Sequence, residues 1–398
     1  MNTRYDRFVE PLDVLVLRAN QNFGDPGSYG QCQMPPWPSV MAGSLRSRML
    51  VDAGIDPNAF ARGEAGALPE LGTPDAPGSF TLCAFHLAVQ EGEGAVEPVF
   101  PMPADLVVQE DNTQEKASTA DGDRATEDRA AKCKKSKPLL YRLQPHPIDL
   151  PHSAPLPQVA VLAEDKSRSK PLSGYWLRRR GWQRWLAGEL PAADDLIETN
   201  VLWHTDSRVG IGMQPTTRSV ETGKLFTTEV VALRRGVGFA VAVSGAVPPS
   251  EGLLRLGGDG HAAAIREAAI DWPQPDYDAL CRAGRCRLIL TSPGIFTQGW
   301  RPTDEHGRFA YGEVRAKLVA AAVPRAQVIS GWDLARWRPK VARRAVPAGA
   351  VYWLDELEAT PEALRRLVER GLWQEPCEDE HRRAEGFNRL TFATWQPD

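Results

Sequence analysis

The feature that most constrains this chain lies within residues 253–269, where Gly257-Gly258-Asp259-Gly260-His261 stands between two apolar runs. Three glycines in four residues describe a backbone free to enter positive φ and to lie very close to something large. Successive N–H groups in such a turn converge on one concavity and favour an anion such as a phosphate chain, with Arg255, His261 and Arg266 as flanking donors. The alternative is a tight, ligand-free connection between a helix and a strand. The spacing matches neither the dinucleotide fingerprint nor the P-loop, since no further glycine follows at the required offset and no Gly-Lys-Ser/Thr occurs.

A chain of 398 residues can bury a sizeable core and predicts two or three domains. Its 42% hydrophobic and 25% charged residues are those of a globular protein, and no apolar run approaches the roughly 18 residues that span a bilayer. The N-terminal Met-Asn-Thr-Arg-Tyr-Asp-Arg lacks a signal-peptide core, so no membrane association and a cytoplasmic location are expected. Six scattered cysteines without a Cys-x-x-Cys pair predict reduced thiols, no metal site and no cofactor. A net charge of −4 argues against indiscriminate coating of nucleic acid, but a local basic groove could still read RNA.

Residues 8–18 are apolar almost without break from Leu12 to Leu17 and predict a buried strand with Arg18 at its exit. Ser39 reads as the N-cap of a helix over 40–53 that carries Arg46 and Arg48. Residues 79–89 alternate as a strand, and 99–108, interrupted by Pro101 and Pro103, predict its edge partner. Residues 109–137 are charged and free of large apolar side chains, which predicts a disordered insertion. Clustered arginines and indoles at 178–185 suit either an RNA-stacking surface or an amphipathic helix docked on a partner.

Residues 204–228 hold Arg208, Gly210, Ile211, Arg218 and Lys224 between two potential strand ends, and predict a projecting hairpin. Strands over 226–233 and 237–244 follow, then a short helical turn, the glycine loop and a strand over 261–268. Strand, helix, two strands, helix, strand is a ferredoxin-like order with insertions. After Pro275 the pattern restarts, with strands over 287–291, 317–330 and 348–354, a helix over 361–370 and a strand over 387–395. The expected fold class is therefore α+β, with two ferredoxin-like units over residues 1–275 and 276–398. In the second, Glu385-Gly386-Phe387-Asn388 takes the place of the glycine loop with one glycine, and should bind phosphate poorly.

Two such units with a glycine-rich loop before the last strand of the first resemble the RAMP superfamily of CRISPR RNA-binding proteins. The residues 11–18 (Pro-Leu-Asp-Val-Leu-Val-Leu-Arg), 35–46 (Pro-Pro-Trp-Pro-Ser39 to Arg46), Arg208-Val-Gly210-Ile211 with Gly223 to Phe226, and Leu256 to His261 carry the likeness further. So do Ser292-Pro-Gly-Ile-Phe296 with Gly299-Trp300, and Ser330-Gly331-Trp332-Asp333. Together they look like the third subunit of the Cmr complex, the type III-B CRISPR effector. The resemblance implies a subunit that holds the 5′ handle of the CRISPR RNA and contacts the large polymerase/cyclase subunit and the first backbone RAMP subunit. It places Gly257, Gly258, Gly260 and His261 against the handle, 208–226 as a thumb-like hairpin, and Arg18, Ser39 and Arg46 along the same groove.

Some superfamily relatives cut precursor CRISPR RNA without metal, which would require a base near neutral pH beside the 2′-hydroxyl. His261 is the one histidine next to the glycine loop. A histidine beside a loop is more often a positioning residue than a catalyst. The reading is of a non-catalytic RNA-binding subunit, with a metal-independent endoribonuclease using His261 as the alternative.

Overall fold

The run Val237–Ser244, apolar at nearly every position, suits a strand covered on both faces, and it lies at the centre of the larger sheet. The computed structural model describes residues 3–17, 29–92, 94–110, 137–149, 155–162, 170–214, 216–333 and 338–396. Eight strands pair in the order Glu251–Arg255, Ala262–Glu267, Arg4–Pro11, Val237–Ser244, Thr81–Gln90, Val96–Pro101, Tyr175–Arg178 and Leu196–Glu198, every neighbour antiparallel. The helix Pro38–Asp52 lays Met41, Ala42 and Leu45 on one face of this sheet, against Val9, Leu87, Phe239, Val241 and Ile265.

A second antiparallel sheet runs Arg308–Tyr311, Val314–Ala322, Val351–Glu358, Cys286–Leu290 and Leu390–Ala393. The helix Pro361–Arg370, with proline at its first position and Thr360 accepting from the Ala363 N–H, covers one face through Ala363, Leu364 and Leu367. The architecture is thus α+β, dominated by antiparallel strands.

The two sheets meet across a largely apolar seam. The helix Arg179–Leu186 buries Trp182 and Trp185 there against Ile289, Val319, Trp353 and Trp395. At its centre Asp105 and Arg287, both fully buried, pair at 2.5 Å. The Arg287 Nε donates to the Thr394 carbonyl and its Nη2 to the Trp185 carbonyl, while Trp185 Nε1 donates to Asp105.

Several elements differ from the sequence-based expectation, each for a local reason. The first strand is Arg4–Pro11, and residues 12–17 continue irregularly rather than as strand, exposed at Leu12 and Asp13 and buried from Leu15 to Leu17. Pro11 offers no N–H to extend the ladder, and Leu15 instead bridges to Val231 in another sheet. The helix starts at Pro38 with Trp37 as its N-cap, which puts Ser39 inside the first turn, because proline is preorganised for the first helical position. Val96–Pro101 is paired on both sides and ends at its proline, so it is not an edge. The expected 109–137 insertion begins later, since Leu106–Glu110 is a strand; residues 111–136 lie outside the described residues. The expected helical turn before the glycines is the edge strand Glu251–Arg255, and the expected strand over 317–330 stops at Ala322, ahead of Pro324.

Candidate nucleic-acid interface

The glycine loop is the connection of a hairpin, residues 256–261, between the edge strand and Ala262–Glu267. The Leu256 N–H donates to the His261 carbonyl and closes its base. Gly257, Asp259 and Gly260 all have positive φ, at +80°, +58° and +74°, which explains why two of the three are glycine. The Gly258 N–H donates to the Val16 carbonyl at 2.8 Å, and a Cβ on Gly257 would stand 2.8 Å from that same oxygen. The loop therefore lies flat on the 12–17 segment on one side. On the other side it is exposed, a Cβ on Gly260 would meet nothing within 4 Å, and among the described residues no acceptor takes the N–H of Gly257 or Gly260. His261 is half-buried beside it, its Nδ1 3.6 Å from the Asp13 carboxylate.

The helix Pro38–Asp52 holds this hairpin from behind. The Ser44 hydroxyl donates to the Arg255 carbonyl, and Arg48 donates to the Leu253 carbonyl while pairing with Asp52. Arg46 lies two residues, about 200°, from either of them around the helix axis. Its guanidinium bonds to the Leu71 carbonyl near Glu385, and burial lowers its pKa. Ser39 sits in the first turn of that helix, half-buried. Arg18 falls outside the described residues. Arg266 stacks on Phe8 and bonds to Gln90, away from the loop.

The projecting hairpin is Trp203–Met213 paired with Val220–Leu233. Opposed residues in an antiparallel ladder share a face, so the register assigns two unlike faces. One carries Val209 and Ile211 with Leu225, exposed apolar side chains, Val209 at 70% exposure; past a register break after Ile211, Met213 opposes Val220, both also exposed. The other carries Arg208 and Gly210 opposite Thr228 and Phe226, with Gly212, at a break in the register, against Lys224. A Cβ on Gly210 would stand 2.4 Å from the Phe226 ring, and one on Gly212 2.7 Å from the Lys224 Cβ. These glycines exist so that an aromatic ring and a lysine stem can lie across the ladder. Arg208 is within 3.9 Å of Asp206, Lys224 pairs with Glu221, and Arg218 occupies the tip with φ of +52°.

The 12–17 segment ties hairpin and loop together, since Leu15 and Val231 exchange backbone bonds while Val16 receives Gly258. Tyr29–Gly30 then pairs parallel with Thr227 and Thr228, and the Cys32 N–H donates to Glu229. Thus Gly257, Gly258, Gly260, His261 and the hairpin base are brought to one region, while the Arg46 guanidinium is engaged elsewhere. Sequence reasoning missed Asp13, Ser44 and the hairpin's apolar face; the alternation Val209, Ile211, Met213 was a signal for the last.

Other sequence candidates resolve differently. At 178–185 the indoles are core and the arginines are paired, Arg178 with Glu97, Arg179 with Asp271, and Arg180 and Arg184 with the buried Asp195. This is a helix docked within the chain, which removes the RNA-stacking alternative for these tryptophans. Gly386, at φ of +89°, packs on Leu82, and Asn388 is buried with its amide bonded to Ile295 and Leu372, so the second unit's counterpart loop is sealed. Among the described residues no three His, Cys, Asp or Glu side chains cluster as metal ligands, and no helix is long and apolar enough to cross a membrane.

Known proteins add the following. The family model described as CRISPR-associated protein (Cas_Cmr3) matches residues 7–395. No curated protein matches the chain. Among solved structures, a chain from the cryo-EM structure of the type III-B Cmr-beta bound to cognate target RNA is 12% identical, with a TM-score of 0.44, over 97% of this chain and 96% of that one. A chain from the same kind of complex bound to cognate target RNA and AMPPnP, state 1, is 13% identical with a TM-score of 0.43, over 91% of this chain and 88% of that one. With its family model matched from one end of the folded chain to the other, the protein belongs to the Cas_Cmr3 family of CRISPR-associated proteins.

Proposed function

We propose that this chain is the subunit of a type III-B CRISPR effector that holds the 5′ handle of the CRISPR RNA and joins the large polymerase/cyclase subunit to the backbone RAMP subunits, binding RNA without cutting it. Family membership supports the assembly. The observation that carries the RNA role is the glycine loop itself, with its positive-φ turn, its exposed outer side and the open N–H groups of Gly257 and Gly260. A phosphate is the ligand such donors fit, and backbone contacts of this kind hold a strand in register without reading its bases.

Each unit reads as ferredoxin-like. Numbering the strands Arg4–Pro11, Thr81–Gln90, Val237–Ser244 and Ala262–Glu267 in chain order, they pair as 4-1-3-2; so do Cys286–Leu290, Val314–Ala322, Val351–Glu358 and Leu390–Ala393. The first unit keeps the helix after strand one and the second keeps the helix before strand four. His261 acts as a positioning residue beside Asp13.

Gly260→Leu is the informative variant, because the new side chain meets no protein atom near its Cβ and adds only left-handed strain of about 1–2 kcal/mol. In reconstituted effector it should lose CRISPR RNA at least about tenfold, a loss of about 1.4 kcal/mol in binding, while the subunit stays folded. Undiminished RNA retention by the folded variant would remove the loop from the interface. The wild-type protein mixed with labelled repeat RNA in chelator should yield no product; a discrete cleavage product that His261→Ala abolishes would overturn the non-catalytic reading.

A further inference from the structure

The arm over residues 327–345 was absorbed by none of the functions above. Gln327–Ile329 pairs with Arg343–Ala345, and Trp332–Asp333 pairs with Arg338–Pro339, so the chain leaves the second unit and returns as a narrow two-stranded projection. Its base is fixed. Ile329 and Ala345 pack with Trp37, Trp373 and Phe387; the Ser330 hydroxyl donates to the Lys340 carbonyl; Lys340 pairs with Glu385, which also holds Arg382.

The arm concentrates positive charge. Some exposed arginines of this protein sit on carboxylates, such as Arg62 on Glu64 and Arg308 on Asp304, while others, such as Arg234, Arg255 and Arg315, pair with none among the described residues; the arm gathers several of the second kind. Between residues 325 and 344 the described part holds Arg325, Arg338, Lys340, Arg343 and Arg344 against the single carboxylate of Asp333. Among the described residues no carboxylate pairs with Arg325, Arg338, Arg343 or Arg344, all of them exposed. In a protein of net charge −4, a fixed projection with four unneutralised guanidinium groups favours a polyanion. On the described part of the arm Val328, Trp332 and Val341 are exposed, at 48%, 49% and 74%, and an indole among arginines suits stacking bases.

Its position gives it a ligand. The arm base packs on Trp37, the N-cap of the helix that backs the glycine hairpin. Seven residue steps separate Trp37 from Gly30, which pairs with the projecting hairpin at Thr228, so the two bases lie within about 25 Å of each other. We propose that the arm is a second wall of the RNA path, with Arg338, Arg343 and Arg344 neutralising phosphates of single-stranded RNA that continues beyond the glycine loop. This rests on RNA occupying that loop, and its test separates the two.

The test measures binding of the full chain to labelled single-stranded repeat RNA by anisotropy across a salt series. The variants are R338Q/R343Q/R344Q and, separately, Gly260→Leu. Each phosphate contact contributes about 0.7 to the salt slope, so the triple variant should lose about 2 from it, and raising salt from about 0.05 M to about 0.2 M should weaken it roughly 20-fold less than wild type. Gly260→Leu should bind more weakly with the slope little changed. A triple variant with the wild-type slope, while Gly260→Leu loses RNA, would overturn the arm and leave the loop standing. A reduced slope with Gly260→Leu unaffected would do the reverse. A triple variant with normal RNA binding that no longer enters the effector would make the arm a protein contact, and the proposal would fall.

Discussion

Replacing Asp105 by asparagine should destabilise the protein severely. Asp105 and Arg287 are fully buried, 2.5 Å apart, at the seam between the sheets. The other guanidinium donors are already committed, Nε to Thr394 at 3.0 Å and Nη2 to Trp185 at 2.8 Å; one Asp105 oxygen accepts from Trp185 Nε1 and the other from Arg287 Nη1, so an asparagine that keeps the indole bond turns its NH2 toward the guanidinium and loses that bond together with the countercharge. Burial already depresses the Arg287 pKa, and Asp105 is what offsets it. Leaving a buried ion without its partner costs about 3–5 kcal/mol, whereas replacing both members by neutral groups of similar volume is often close to neutral. Asp105→Asn should therefore lose about 3–5 kcal/mol in urea unfolding, while D105N/R287M, in which the amide oxygen still accepts from Trp185 Nε1, should recover most of it. A loss below about 1 kcal/mol for the single variant, or a double variant no better than the single, would refute the reasoning.

The buried His86, packed against Phe100 and Trp272, has its pKa pushed down to about 3 by desolvation. The unfolded chain binds that proton near 6.5, so stability should fall as pH drops below that value, by about 2 kcal/mol at pH 5. Denaturation midpoints of wild type and His86→Leu across pH 7 to 5 check this, and parallel curves would contradict it. On the projecting hairpin, Gly210→Val should push Phe226 off the ladder, because the new Cβ would stand 2.4 Å from its ring. Hydrogen exchange should speed up over residues 206–228 while the thermal midpoint of the body changes little; protection equal to wild type there would mean the ring's place is not fixed by the glycine.

What could be read from the order of residues alone was what depends on local pattern. The apolar run Val237–Ser244, the proline-led helix Pro361–Arg370 and the glycines of the 257–260 turn each follow from a short-range rule, and each stands where that rule puts it. The edge strand Glu251–Arg255 did not read as strand, because Gly252 and the exposed Leu253 leave it with one buried residue, Leu254, and no alternation strong enough to detect. The arginine and indole cluster at 178–185 was ambiguous for a different reason. Its chemistry is the same whether the rings meet bases or a second sheet, and only the return of the chain through Asp105, Ile289 and Trp353 decides that they meet the sheet.

The projecting hairpin shows why site residues are harder than folds. Gly210 and Gly212 both lie within a strand, and their reason is the side chain they face, Phe226 and Lys224. That partner is set by register. A one-residue slip would exchange the apolar face of Val209 and Ile211 with the face carrying Arg208. Among the described residues the hairpin meets the body through Leu15 at Val231 and through Tyr29–Gly30 at Thr227 and Thr228, and its exposed Val209, Ile211 and Leu225 are apolar surface of the kind a neighbour covers. The register therefore does what no motif could: it separates a face carrying Arg208 and Phe226 from an apolar face carrying Val209, Ile211 and Leu225.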